Sequence, residues 1–271
     1  MLRPPIATRA EFSHGATITP EGEPQVFDGA PVVERILRDR PSFHGDGRLR
    51  WDVSPGTLHL LGRLAGAAER SLEVGCGVST VVFAAAGTAH LAMSPSRREF
   101  ERIEEYCAAT GVSTGCVDFR EGFSDRVLPS LEQDVDLALI DGAHSFPHPV
   151  VDFHYVSRRL RPGGVLVLDD VPIPSVGDVY RFLHDDPRWE LVDLVDHRAA
   201  AFRLVRPLPD GDPWGDQRRN ATYPDYSFLP PSQRWKVELR EWLAHNSTVV
   251  RARRRHPRLD RLTPTLRRIL G

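Results

Sequence analysis

From residue 70 onward the chain alternates short apolar runs with segments of helical periodicity. That alternation constrains the fold more than any other feature of the 271 residues. The runs are Ser71–Val74, His90–Met93, Cys116–Phe119, Val135–Ile140, Gly164–Leu168, Glu190–Val195 and Ala200–Val205. Helical patterns separate the first five, near 79–86, 96–110, 124–131 and 147–160, and another lies near 174–184. Strands alternating with helices at this spacing predict βαβ units and a parallel sheet buried on both faces. The last two runs flank Asp196-His197-Arg198 and read as an antiparallel hairpin at the sheet edge. Ser54-Pro55 opens a helix with Pro in its first position, and Leu58, Leu61, Leu64 and Ala65 recur at helical spacing. In the 96–110 helix, Ser96 and Glu99 form a capping box and Gly111 ends the helix. Arg161-Pro162-Gly163-Gly164 reads as a sharp turn between a helix and a strand.

Composition narrows the class further. Apolar residues make up 41% and charged residues 27%, which is ordinary for a globular domain and excludes disorder, collagen and coiled coil as global descriptions. No apolar run approaches the ~18 residues of a membrane helix. The N-terminal stretch has no apolar signal core. The three cysteines (Cys76, Cys107 and Cys116) are too few and scattered for a disulfide framework or a thiolate zinc site. A reducing cytoplasm is the expected setting. The net charge of −2 hides an asymmetry: residues 251–271 hold eight arginines and one aspartate, net +7, so the body is acidic. The basic tail reads first as a helix docked on the acidic body or on a second subunit, which leaves a homo-oligomer open. Contact with an anionic membrane is the lesser alternative. No nucleic-acid motif accompanies the tail, so no nucleic-acid partner is expected.

The first strand runs into a glycine turn and a helix: Ser71-Leu72-Glu73-Val74-Gly75-Cys76-Gly77-Val78-Ser79-Thr80. Glycines at 75 and 77 permit a tight turn and close approach of a ligand to the backbone. The helix start offers free N–H groups. A dinucleotide fingerprint asks for a third small residue at position 80, where Thr80 stands, so NAD binding is disfavoured. A βα turn without a ligand remains the alternative.

Further on, Leu137-Ala138-Leu139-Ile140-Asp141-Gly142-Ala143-His144 closes one strand with an acid, and Val165-Leu166-Val167-Leu168-Asp169-Asp170 closes another with two. The 28 residues from Asp141 to Asp169 amount to about one βαβ unit, so the strands are expected to be neighbours with a right-handed crossover. The acids then lie at the carboxyl edge, where open α/β sheets bind ligands. Three clustered carboxylates repel one another unless a cation intervenes, and hard oxygen donors suit Mg²⁺ or Ca²⁺. Taken singly, Asp141 and Asp170 also read as helix caps.

The segment Glu73-Val-Gly-Cys-Gly-Val-Ser-Thr80 resembles the first motif of class I S-adenosylmethionine-dependent methyltransferases. Ile140-Asp-Gly-Ala-His144, together with Leu160-Arg-Pro-Gly-Gly-Val-Leu-Val-Leu-Asp-Asp170, resembles the metal-dependent O-methyltransferases of the catechol and macrolide-sugar types. The resemblance spans roughly residues 50–206. It implies a Rossmann-like sheet of order 3-2-1-4-5-7-6 with N- and C-terminal helical extensions. It implies cofactor contacts from Glu73, Gly75, Cys76, Gly77 and Asp141, and adenine contacts from Gly122 and Phe123. It places Ser94 where the ribose-binding acid of the family stands; a hydroxyl there makes a weaker bond without charge assistance. It implies Mg²⁺, or another divalent cation, on Asp141, Asp169 and Asp170, with His144 as general base. The implied activity is O-methylation of a hydroxyl on a small molecule, a sugar or other natural product. The expected organisation is an N-terminal extension and lid over 1–56, the methyltransferase domain over 57–206, and a Pro/aromatic segment with basic helices over 207–271. Two alternatives stay open: a metal-independent methyltransferase of the same fold, and a non-catalytic scaffold, the latter motivated by Ser94.

Overall fold

The computed structural model describes residues 17–18, 24–25, 27–45, 47, 51–207, 217–218, 220 and 225–245. Two compact units divide the chain, Met1–Pro213 and Trp214–Gly271. Near the start of the first unit, Thr17–Ile18 and Pro24–Gln25 pair as a small antiparallel ladder.

The first unit is built on a seven-stranded sheet. Its strands, numbered in chain order, are β1 (Arg70–Val74), β2 (Ala89–Ser94), β3 (Val117–Glu121), β4 (Val135–Ile140), β5 (Leu160–Leu168), β6 (Trp189–Val195) and β7 (Ala199–Leu204). Their spatial order is β3-β2-β1-β4-β5-β7-β6. The first five are parallel, and β7 runs antiparallel to both β5 and β6. The helices are α1 (Ala30–Asp39), α2 (Pro55–Ala65), α3 (Val78–Ala86), α4 (Arg97–Thr110), α5 (Ser124–Val127), α6 (His148–Arg159) and α7 (Pro174–Asp185). The doubly wound α/β architecture and the order 3-2-1-4-5-7-6 are those expected from the sequence.

The strands read as continuous apolar runs because both faces of the sheet are covered. Leu137 and Leu139 of β4 and Val165 and Val167 of β5 join one core, with residues of α1, α2, α3 and α4. Ala138, Ile140, Leu166 and Leu168 point the other way, into a second core with Val156 of α6 and Val179 and Leu183 of α7. Alternate residues thus feed opposite layers.

Local signals hold in most places. Ser54 caps α2 by accepting the Thr57 amide at 3.1 Å, with Pro55 in the first turn. Three readings need correction. Ser96 occupies the cap position of α4 without a side-chain cap bond: the Glu99 amide donates to the Ser96 carbonyl, and Ser94, not the Glu99 carboxylate, accepts the Ser96 amide. The 124–131 pattern splits into α5 and a 3₁₀ turn, Leu128–Ser130, where Pro129 offers no amide donor. The Arg161–Gly164 turn lies inside β5 rather than before it. Leu160 already pairs with Val135, and the next pair is Val165 with Leu137, so the turn bulges out of the ladder.

In the second unit, α8 (Pro231–His245) carries Trp235, Leu239 and Trp242 exposed on its surface. The basic tail 251–271 and most of the Pro/aromatic stretch 207–231 lie outside the described residues. Among the described residues no helix is long and apolar enough to cross a membrane.

Gly75 is the tightest point of the first βα turn. Its φ is +102°, and a Cβ there would lie 2.6 Å from the Asp141 carbonyl oxygen. Gly75→Ala is therefore expected to cost about 1–3 kcal/mol in urea unfolding. An unchanged midpoint and slope would contradict the close approach.

Candidate active site

The parallel ladder continues one step past the strand ends. Asp141 donates its amide to Val74 (3.1 Å), Asp169 to Ile140 (3.2 Å), Met93 to Gly75 (3.3 Å) and Gly122 to Ser94 (2.9 Å). These bonds gather the ends of β1, β2, β3, β4 and β5 around a cavity of about 650 Å³. Of the residues singled out from the sequence, Gly75, Cys76, Ser94, Gly122, Phe123, Asp141, His144 and Asp170 line it. Glu73, Gly77 and Asp169 do not. His44, Trp51, Glu99 and Arg198 also line it, and none of them was expected at the site from the sequence, where Glu99 reads as half of a capping box.

Glu73 and Gly77 act behind the turn. The Glu73 carboxylate is 1% exposed and accepts hydrogen bonds from Ser79 (2.6 Å) and Thr80. His90 Nε2 lies 3.2 Å from it. Thr80 in turn accepts the Gly77 amide at 2.9 Å. The residue that spoils a dinucleotide fingerprint thus ties the second glycine to the buried acid. The network fixes the turn's shape from beneath, which places Glu73 in support of the binding surface rather than on it.

The three acids do not converge as a single set. Asp169 is 1% exposed, 3.4 Å from the Thr57 hydroxyl and 2.8 Å from Arg198 Nη2. Arg198 also places Nε 2.7 Å from Asp170 Oδ1. The cluster that forms is Asp141, His144 and Asp170, with one ligand-type atom from each lying within 4.8 Å of the others. His144 Nε2 is buried, 3.8 Å from Asp141 Oδ1 and 3.5 Å from Asp170 Oδ2. Helix capping does not account for these acids: the cap positions of α6 and α7 are held by Pro147 and Ile173, with no side-chain cap bond.

The electrostatics follow from this crowding. Burial, then the nearby Asp141 charge, pushes Asp169 up to about 7 in spite of Arg198. Burial likewise raises Asp141. The Asp141 carboxylate, helped by Asp170 and Asp169, lifts His144 above its ordinary value against its own burial. The imidazole is therefore a stronger proton acceptor than a free histidine.

Arg198 reaches the site because β7 lies between β5 and β6. The β6–β7 turn is built on Asp196 and His197, both at φ 52°, and sets Arg198 beside the end of β5. The same turn holds the start of α2, since Asp196 accepts the Gly56 amide at 2.7 Å.

At the opposite end of the cavity Ser94 is buried and donates to Glu99. His44 Nδ1 lies 3.0 Å from Glu99 Oε1, and the Cys76 thiol donates to Oε2 at 3.5 Å. Burial alone would raise the Glu99 carboxyl. Hydrogen bonds from His44 and Ser94 outweigh it and hold the group below its ordinary value. Trp51 lies against His44 with ring centroids 5.5 Å apart and the planes tilted by 32°. Phe123 is 53% exposed at the rim, free to meet a flat ligand.

The sheet order and the cavity at its carboxyl edge define the fold class of the class I methyltransferases. The profile of the methyltransferase-domain family matches residues 72–171, from β1 to just past Asp170. A curated relative is the 8-demethyl-8-alpha-L-rhamnosyl tetracenomycin-C 2'-O-methyltransferase of Streptomyces olivaceus, 28% identical over 240 residues. The alignment takes in 77% of this chain and 62% of that enzyme, so the chain spans under two thirds of its relative's length. Among solved structures, cofactor-bound Rv0187 from MTB superposes with a TM-score of 0.52 at 20% identity, over 65% of this chain and 88% of that one. The O-methyltransferase from Bacillus cereus in complex with SAH gives 0.50 at 17% identity, over 64% and 90%. Both likenesses show the shared fold.

The loop carrying Asp141 and His144 rests on one more acid. Asp152 of α6 is fully buried, its Oδ2 3.6 Å from where a Gly142 Cβ would stand. Burial pushes its carboxyl up to about 6, against partial relief from Ser124 and His148. A raised carboxyl destabilises the folded state once it ionises. The cost is absent below the unfolded value near 4 and complete above about 6. Asp152→Asn should therefore stabilise the protein by about 2–3 kcal/mol at pH 8 and give little gain at pH 4. Urea titrations of both proteins at the two pH values check this; an equal difference at both would contradict it.

Proposed function

We propose that the chain is an S-adenosylmethionine-dependent O-methyltransferase acting on a hydroxyl of a small molecule, a glycoside or similar natural product, with the help of a divalent cation. One observation carries the reading: the Gly75–Cys76 turn and the Asp141, His144 and Asp170 cluster open onto the same cavity. The sugar named in the Streptomyces relative's activity is compatible with the proposed acceptor class.

The residues present fit both absent groups. Gly75 packs against the Asp141 carbonyl where no Cβ would fit, and that close packing sets the Gly75–Cys76 turn in the wall of the cavity with Ser94, Gly122 and Phe123, a lining that suits the cofactor. The Asp141 and Asp170 carboxylates, each with an oxygen within 4.8 Å of the other and of the His144 ring nitrogen, offer hard oxygen donors for a divalent ion beside a proton acceptor. When bound, S-adenosylmethionine supplies an electrophilic methyl group, and the cation supplies charge that lowers the pKa of a hydroxyl beside it. Gly75 and Cys76 would hold the methionine end of the cofactor, supported from behind by Glu73 and Gly77. Gly122 and Phe123 would receive the adenine. Asp141 Oδ1 and Asp170 Oδ2 would hold the cation. His144 Nε2 takes the proton of the acceptor hydroxyl, its basicity raised by Asp141. Asp169 holds Arg198 in place. Residues 1–56 contribute His44 and Trp51 to the cavity wall, which suits an acceptor-binding lid. Three free cysteines accord with a cytoplasmic setting.

Arg198 favours a second reading. Its guanidinium already sits between Asp169 and Asp170 at 2.8 and 2.7 Å. It would supply the positive charge itself, and methyl transfer would need no metal.

Two measurements separate these readings. In calorimetry with Mn²⁺ in the presence of S-adenosylhomocysteine, Asp141→Asn and Asp170→Asn should weaken ion binding by about 10-fold or more. His144→Gln should keep ion binding within a few-fold, while methyl transfer to the rhamnosyl glycoside named for the relative falls by about 10²-fold or more. Loss of Mn²⁺ affinity in His144→Gln would make the imidazole a ligand instead of a base. Activity that survives EDTA would favour the Arg198 reading.

A further inference from the structure

Glu99, which the sequence marks only as part of a capping box, stands in the first turn of α4, 24 residues after Gly75. Its side chain is 12% exposed, and it lines the cavity next to Cys76 and Ser94. Three protein groups reach it: His44 Nδ1 at Oε1, and the Ser94 hydroxyl and Cys76 thiol at Oε2. An ionised carboxylate offers about four acceptor sites. Three partners leave about one unfilled, on Oε1, beside the cavity. A largely enclosed carboxylate with a spare acceptor site facing a cavity favours a polar group at that site. The hydroxyls of a ribose are suited to the vacancy. In nucleotide-binding α/β folds an acidic residue about 20 positions beyond the glycine turn takes a ribose hydroxyl.

We propose that Glu99 accepts a ribose hydroxyl of the adenosyl cofactor, so that the strand-end position held by Ser94 is served by a carboxylate delivered from the neighbouring helix. Ser94 and His44 are then positioning residues. Ser94 donates to Oε2 and His44 to Oε1, and together they fix the carboxylate rotamer. His44 is itself held in place, because Arg102 of α4 donates to the carbonyls of Phe43 and Gly45 on either side of it. The segment around His44 thus joins the wall of the cofactor cavity through Glu99. The charge-assisted bond expected of a strand-end acid is restored from another element. This inference rests on the cofactor reading above and names the residue that recognises the sugar.

Calorimetry tests it with two probes, S-adenosylhomocysteine and its 2′,3′-dideoxy analogue. Wild-type protein should bind the natural compound at least about 10-fold more tightly than the analogue. Glu99→Gln should lose most of that preference while binding the analogue as wild type does. A merely structural role for Glu99 would weaken both ligands together and leave the ratio intact, which would overturn the proposal. Should Glu99→Gln fail to fold, a crystal structure of the wild-type complex decides the matter. A ribose oxygen within about 3.2 Å of a Glu99 oxygen is the expected result, and a ribose bound by Ser94 alone overturns it. If S-adenosylhomocysteine does not bind wild type at all, the cofactor reading falls first and this inference with it.

Discussion

Asp141 donates its amide to Val74 and Asp169 donates to Ile140, each one residue beyond the end of its strand. Those two bonds, at 3.1 and 3.2 Å, set the relative height of β1, β4 and β5. Everything at the carboxyl edge depends on them. In a parallel ladder a slip of one residue would exchange the two faces of a strand. Leu139 and Val167 would leave one core for the other, and Asp141 would leave the cavity. Burial on both faces makes such a slip expensive, because Leu137, Ala138, Leu139, Leu166 and Val167 are all almost fully enclosed. The hydrophobic layers therefore fix the register, and the register places the acids.

Collecting acids at one edge creates an electrostatic problem that the fold solves in three ways. Arg198 neutralises Asp169 and Asp170 from the β6–β7 turn. The His144 imidazole faces Asp141 and Asp170, each of which favours its protonated form. Asp169 and Asp141 are themselves pushed toward protonation by burial. The result is a site in which positive groups and raised carboxyls stand in close balance. Across the cavity, the Glu99 carboxylate is stabilised by donors instead, so the two ends differ in character. One end suits cation and proton chemistry, the other the binding of hydroxyl groups.

Much of the fold was legible in the sequence because its cause is local. Continuous apolar runs such as Val135–Ile140 specify a doubly covered strand without any knowledge of partners. The glycine turn was legible for the same reason, since Gly75 must adopt φ +102° against the Asp141 carbonyl. What escaped is what depends on strand order. Arg198 looked like part of an edge hairpin; insertion of β7 beside β5 brings it to the acids. The signal was present in the order 5-7-6, which puts the start of β7 against the end of β5. Glu99 was read as half of a capping box because its spacing from Ser96 satisfies that pattern. The contest between Ser96 and the trio His44, Ser94 and Cys76 is a tertiary one, and spacing alone does not decide it. Asp169 and Asp170 were likewise indistinguishable as neighbours in sequence. They part where the strand has ended, because Asp170 adopts φ 57° and Asp169 does not: Asp169 is buried and Asp170 lines the cavity.

The most direct measurement is a crystal structure of the protein soaked with S-adenosylhomocysteine and Mn²⁺, recorded with anomalous scattering. The account expects the homocysteine end against the Gly75–Cys76 turn and one anomalous peak within coordination distance of Asp141 Oδ1 and Asp170 Oδ2. A ligand lodged elsewhere, or Asp141 and Asp170 turned away from it with no peak between them, would contradict the claim that this strand-end register assembles a methyl-transfer site.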